Sequence, residues 1–131
     1  MNYPKSRLRR LRYNNNIRSL VQDVHLNISD LIYPIFICEG ENIKEEIKSL
    51  PGQYRLSVDN VLVLCDELIK LGIKSILLFG ISDKKDNDGS IACSEDSIIP
   101  FAIKKIKNKF SNDILVMADL CNCSYTSHGH C

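Results

Sequence analysis

No stretch of this 131-residue chain carries enough consecutive apolar residues to cross a bilayer; its longest strongly apolar runs have the length of strands. No membrane role is expected, and 44% hydrophobic with 25% charged residues reads as a soluble globular domain. Charge of one sign is lacking as well. Seventeen Lys and Arg against sixteen Asp and Glu leave a net charge of +1, too small for the basic surface that tracks a phosphate backbone, so nucleic acid is not an expected partner. Acidic residues are missing altogether from the first twenty positions, which hold Lys5, Arg7, Arg9, Arg10, Arg12 and Arg18. A secretory signal would need an unbroken apolar stretch behind that basic one, and Tyr13, Asn14, Asn15 and Asn16 break it. An organelle transit peptide suits the Arg-rich, acid-poor composition, but serine is sparse. The preferred reading is a solvated arm of the kind that docks on a neighbouring subunit. Without an export signal, the six cysteines are expected to be reduced thiols of a cytoplasmic protein, some buried as small hydrophobes and some available for metal.

What is present is a regular change of hydrophobic period. Leu31 to Cys38 is a nearly continuous apolar run that predicts a buried strand, with Pro34 tolerated only at a start, edge or bulge. Residues 40–56 are polar, contain the turn signal Leu50-Pro51-Gly52, and read as a loop. From Ser57, Val58, Val61, Leu62, Leu64, Cys65, Leu68, Ile69 and Leu71 recur at helical spacing, with Ser57 placed to cap the start and Gly72 to stop the helix. A second strand is predicted over Ser75 to Gly80. After a polar loop, a helix is predicted over about 95–109, with Pro100 in its first or second turn and Ile98, Ile99, Ala102, Ile103 and Ile106 inside. A third strand follows over Ile114 to Leu120.

Strand, helix, strand, helix, strand, with the strands apolar throughout, predicts an α/β fold of parallel strands covered on both faces. A doubly wound sheet and a barrel both satisfy that pattern. A closed barrel needs eight such units over about 250 residues, and with three predicted strands the chain supplies less than half of it. The abrupt end on a cysteine in a loop reads as a fragment.

Chemistry concentrates in the tail, where three of the six cysteines and two of the three histidines fall in the last eleven residues. In an extended segment, residues two apart point the same way, so Cys121 and Cys123 are placed to offer both sulfurs to one ion. A turn at Gly129 would bring Cys131 in as a third thiolate, and soft sulfur donors select zinc. Three protein ligands leave a catalytic zinc an open position. His128 or His130 as a fourth ligand would make the site structural instead, although such histidines more often orient a site from outside it. Asp119 falls at the carboxyl end of the third strand, where α/β enzymes build active sites, although a turn or cap is the commoner fate of such an aspartate. A C-x-C pair by itself also serves as core filler or as a redox couple. Residues 84–95 imitate part of a calcium loop through Asp86, Asp88, Gly89 and Glu95, but Lys84 occupies the first ligand position and opposes calcium.

The tail D-x-C-x-C-x-Y-T-x-H-G-H-C, beginning at Asp119, resembles the zinc-site signature of the porphobilinogen synthase (5-aminolevulinate dehydratase) family. RLRRLR at 7–12, DLIYP at 30–34, Glu39-Gly40, LPG at 50–52 followed by YRLS at 54–57, LLFG at 77–80 and DGS at 88–90 are similar to that family in order and spacing. The resemblance implies a partial (β/α)8 TIM barrel over residues 26–131 behind an amino-terminal arm over residues 1–25. It implies an enzyme, a hydro-lyase condensing two 5-aminolevulinate molecules per active site to porphobilinogen, in the biosynthesis of tetrapyrroles including haem. Cys121, Cys123 and Cys131 become the zinc ligands and Asp119 an active-site carboxylate. Mg2+ enters as an allosteric activator at a site that no residue here is assigned to. The arm would embrace a neighbouring subunit in a homo-octamer. The two Schiff-base lysines of the family's mechanism are expected beyond residue 131. Lys104, Lys105 and Lys107 read as the solvated face of a helix, so this stretch alone is expected to be inactive. The competing readings are a non-catalytic zinc or thiol module, which would fold on zinc and unfold on chelation, and a redox switch of Cys121 with Cys123.

Overall fold

In a computed structural model, residues 4–5, 9–95 and 97–130 are described. They form strands β1 (Tyr33–Cys38), β2 (Lys44–Glu46), β3 (Tyr54–Leu56), β4 (Ser75–Ile81) and β5 (Leu115–Ala118), with helices α1 (Asn15–Leu20), α2 (Val58–Lys70) and α3 (Ile98–Phe110). The sheet order is β2-β3-β1-β4-β5. β1 pairs parallel with β3 and β4, β4 pairs parallel with β5, and only β2 runs antiparallel, against β3. β1, β4 and β5 are thus neighbouring parallel strands linked by crossovers that contain α2 and α3, the βαβ arrangement that the sequence pattern predicts.

Alternation along the strands decides which side is the core. Ile35 and Ile37 of β1 and Ile76 and Leu78 of β4 are buried. They pack with Val61, Cys65 and Leu68 of α2 and with Ala102, Ile106 and Phe110 of α3. Removing a Leu or Ile side chain of this kind from water contributes about 1.5–3 kcal/mol. The opposite sheet face carries Phe36 and Phe79, register partners whose rings stack at 5.2 Å. Both are only half-buried. The expectation that both faces are covered is therefore corrected among the described residues: helices cover one face, and the other stays open.

Most element ends follow from local chemistry. Ile73 N–H donates to Leu68 O at 2.9 Å and Gly72 N–H to Ile69 O at 3.0 Å, the paired bonds of a Schellman ending after α2. Pro100 falls in the first turn of α3, where no intrahelical N–H is required, as expected. That helix begins three residues later than predicted. Pro34 sits where β1 has a neighbour on one side alone, because β3 joins only at Phe36 and Ile37. β5 is shorter than predicted and ends before Asp119.

Residues 40–56 are not the plain loop that their polarity suggests. β2 and β3 form a hairpin whose start is clamped to the amino end of α2. Ser57 stands at the N-cap position, yet its hydroxyl caps nothing in its own helix; it accepts Ile43 N–H at 2.8 Å. Asn60 Nδ2 donates to Ile43 O at 3.0 Å, and the Asp59 carboxylate accepts Asn42 N–H. A hydrogen bond from the Ser57 side chain first, then the one from Asn42 N–H, holds the Asp59 carboxyl below its ordinary value. Near the amino terminus, α1 is capped by Asn14, while Leu20, Val24 and Leu26 stand almost fully in solvent.

Candidate active and metal site

Parallel order puts the carboxyl ends of β1, β4 and β5 side by side. Asp119 N–H extends the ladder by one bond, to Leu78 O at 3.0 Å. Two-residue alternation then places Asp119 on the face of Leu115 and Met117, and Met117 is the register partner of Leu77. This is the open face of the sheet. A cleft of about 260 Å³ lies there, floored by Phe36 and Phe79 and edged by Asp119, Cys121, Cys123 and Tyr125. The sequence-predicted Asp119, Cys121 and Cys123 therefore share one cleft at the carboxyl edge, with Cys121 exposed and Cys123 half-buried. Cys131 lies outside the described residues.

Tyr125 closes one side of the cleft. It is 6% exposed, and its hydroxyl occupies the place a side chain at position 80 would take, 2.1 Å from where a Gly80 Cβ would stand. Only glycine lets the tyrosine in. Burial, then the carboxylates of Asp119 and Glu39, pushes the Tyr125 phenol up. Nothing in the sequence singles out Tyr125 except its place in the tail motif.

The loop that imitated a calcium site has another use. The Asp86 carboxylate accepts Asp88 N–H and Ser90 N–H, both at 3.0 Å, and the Ser90 hydroxyl, which holds its carboxyl below the ordinary range. Its lone pairs thus close its own turn. From that turn the backbone reaches across to the tail: Asp86 N–H donates to Tyr125 O at 3.2 Å and Ser127 N–H donates to Asp86 O at 2.7 Å, a parallel bridge to Thr126. No periodicity signals a contact of this range.

The histidines divide. A backbone carbonyl only accepts, so His128 Nε2 must donate to Asn87 O, at 3.1 Å, and Nδ1 then accepts His130 N–H at 3.3 Å. Both ring nitrogens of His128 are engaged, which removes it as a metal ligand in this arrangement. The expected turn at Gly129 is present, with φ +75, and Thr126 Oγ1 donates to His130 O at 2.9 Å across it. Among the described residues no three His, Cys, Asp or Glu side chains stand close enough to hold an ion. Two sulfurs lining one cleft, with a third cysteine next in the chain after His130, are nonetheless a donor set suited to zinc.

Parallel strands joined by helical crossovers, with a largely apolar cleft edged by Asp119, Cys121 and Cys123 at their carboxyl ends, define the α/β class that includes (β/α)8 barrels. The family model described as delta-aminolevulinic acid dehydratase matches residues 5–131, and the chain belongs to that family. The delta-aminolevulinic acid dehydratase of Helicobacter pylori is 50% identical over 126 residues, 95% of this chain and 39% of the relative. That of Methanothermus sociabilis is 47% identical over 131 residues, all of this chain and 40% of the relative. The chain thus spans about two fifths of the length of these relatives. A crystal structure of delta-aminolevulinic acid dehydratase (porphobilinogen synthase) from Toxoplasma gondii, in complex with the reaction product porphobilinogen, superposes with a TM-score of 0.89 at 36% identity. It is matched over 95% of this chain and 36% of that one. The barrel reading of the fold holds, as a partial barrel.

Proposed function

We propose that the protein to which this chain belongs condenses two molecules of 5-aminolevulinate to porphobilinogen with loss of two waters, a hydro-lyase step of tetrapyrrole biosynthesis. The observation that carries the reading is a family match over residues 5–131 that ends on a cleft lined by Asp119, Cys121 and Cys123. Cys121, Cys123 and Cys131 would hold a zinc ion, whose contribution when bound is Lewis acidity moderated by three thiolates. The Asp119 carboxylate orients the substrate and takes or returns a proton, while Phe36 and Phe79 keep water from the cleft floor. Lys107 donates to Ser111 O and Ile114 O beyond the far end of α3, and Lys104 and Lys105 are exposed on the same helix. None of the three is placed for Schiff-base chemistry. Residues 1–131 by themselves would be inactive, the two lysines lying further along the protein.

The same reading makes residues 1–25 an assembly arm of a homo-octamer, residues 26–131 barrel, Mg2+ an allosteric activator and the cytoplasm the compartment. The exposed Leu11, Tyr13 and Leu20 of the arm support assembly. Among the described residues no helix is long and apolar enough to cross a membrane. In the intact protein, Asp119→Asn is expected to lower kcat by about 100-fold or more with metal content unchanged. Wild-type turnover in that variant would remove Asp119 from the mechanism. Failure of the intact wild-type protein to convert 5-aminolevulinate to porphobilinogen would overturn the reading as a whole.

A further inference from the structure

We propose that Asn87, in the loop between β4 and α3, is a positioning residue for the cysteine loop, acting through Ser127 and His128 to set the geometry in which the thiolates meet their metal. The inference rests on the zinc reading above. Asn87 touches the tail twice across about forty residues of chain. Its side-chain Oδ1 accepts the Ser127 hydroxyl at 2.7 Å, and its carbonyl accepts His128 Nε2–H at 3.1 Å. Asp86 adds two backbone bonds beside it and spends its carboxylate on shaping the turn that presents Asn87. Gly89 at φ +64 lies against Thr126, Tyr125 and Asn122, with 3.3 Å from its Cβ position to Thr126 Cγ2, so the two loops also pack.

Consequences follow from where these bonds fall. His128 passes the constraint on by accepting His130 N–H, and Thr126 holds the His130 carbonyl, so residues 126–130 form a closed turn. The segment braced by Asn87 is therefore the stretch that separates Cys123 from Cys131. Fixing it sets how far apart in space two sulfurs eight residues distant along the chain can stand, without any contact between Asn87 and metal. A group that orients ligands in this way is worth about 10-fold to 100-fold in metal affinity.

The test uses the intact protein, loaded with zinc and separately with cobalt, in wild type and in the variants Asn87→Ala, Asn87→Asp and His128→Ala. Two readouts are followed: metal release to a chelator, and the thiolate-to-cobalt charge-transfer band. Asn87→Ala and His128→Ala are expected to speed metal release by about 10-fold or more and to shift the band. Asn87→Asp keeps an acceptor for the Ser127 hydroxyl and the same carbonyl, and is expected to restore both readouts toward wild type. Release rates and spectra unchanged in Asn87→Ala and His128→Ala overturn the brace, as does a loss of thermal stability with metal release unaltered. A wild-type protein showing no thiolate band refutes the zinc reading itself, and the two failures are thus distinct.

Discussion

At the scale of single residues, two side chains of this protein behave in ways their neighbours dictate. Gly80 has no room for a Cβ, because Tyr125 Oη stands 2.1 Å and Ile99 Cγ1 2.8 Å from where it would be. Gly80→Ala is expected to destabilise the intact protein by about 1–3 kcal/mol, the usual cost of overpacking, read as a lower urea midpoint. It should also lower activity by displacing Tyr125 from the cleft. Cys65 is buried in the core, and burial pushes its thiol up to about 11. At pH 8 it is almost wholly protonated and shielded, so alkylation of the native, metal-free protein is expected to label the exposed Cys93 and Cys121 early and to reach Cys65 only on unfolding, as mass mapping would show. Rapid native labelling of Cys65 would mean that the core opens readily.

Among the elements, the clamp between the β2–β3 hairpin and α2 shows why polarity misled. Residues 40–56 carry few apolar side chains, and the hairpin strands are three residues each, too short for an alternation to register. What stabilises them is Ser57, fully buried, with its hydroxyl on Ile43 N–H. Ser57→Ala strands that amide and is expected to cost about 1–3 kcal/mol, with faster hydrogen exchange at Ile43 and Ser57 before any in β4. Uniform exchange across the sheet would show that the clamp carries no separate stability. Helices, by contrast, were legible. Val58, Val61, Cys65 and Leu68 of α2 are all buried, at the spacing that a helix packed on one side requires.

For the whole molecule, the apolar core and the cysteine loop occupy different regions. Among the described residues, the core of β1, β4, α2 and α3 contains neither Cys121 nor Cys123. Chelation of the intact protein is therefore expected to abolish activity while leaving far-UV dichroism and the unfolding midpoint nearly unchanged. Cooperative unfolding on chelation would favour the zinc-module reading, in which metal binding is itself the folding free energy.

The amino-acid sequence by itself determined the period of each long element, the parallel α/β class, and the spacing that brings Asp119, Cys121 and Cys123 to one strand end. Those are local properties, set by alternation over two residues in a strand and by about 3.6 in a helix. Tertiary structure alone decided that Asp86 and Asn87 meet Ser127 and His128, that Tyr125 fills the space above Gly80, and that polar residues 44–56 become an edge hairpin. The reason is physical: periodicity records which face of an element turns away from water, whereas loop meets loop only after parallel pairing has set the ends of β4 and β5 side by side.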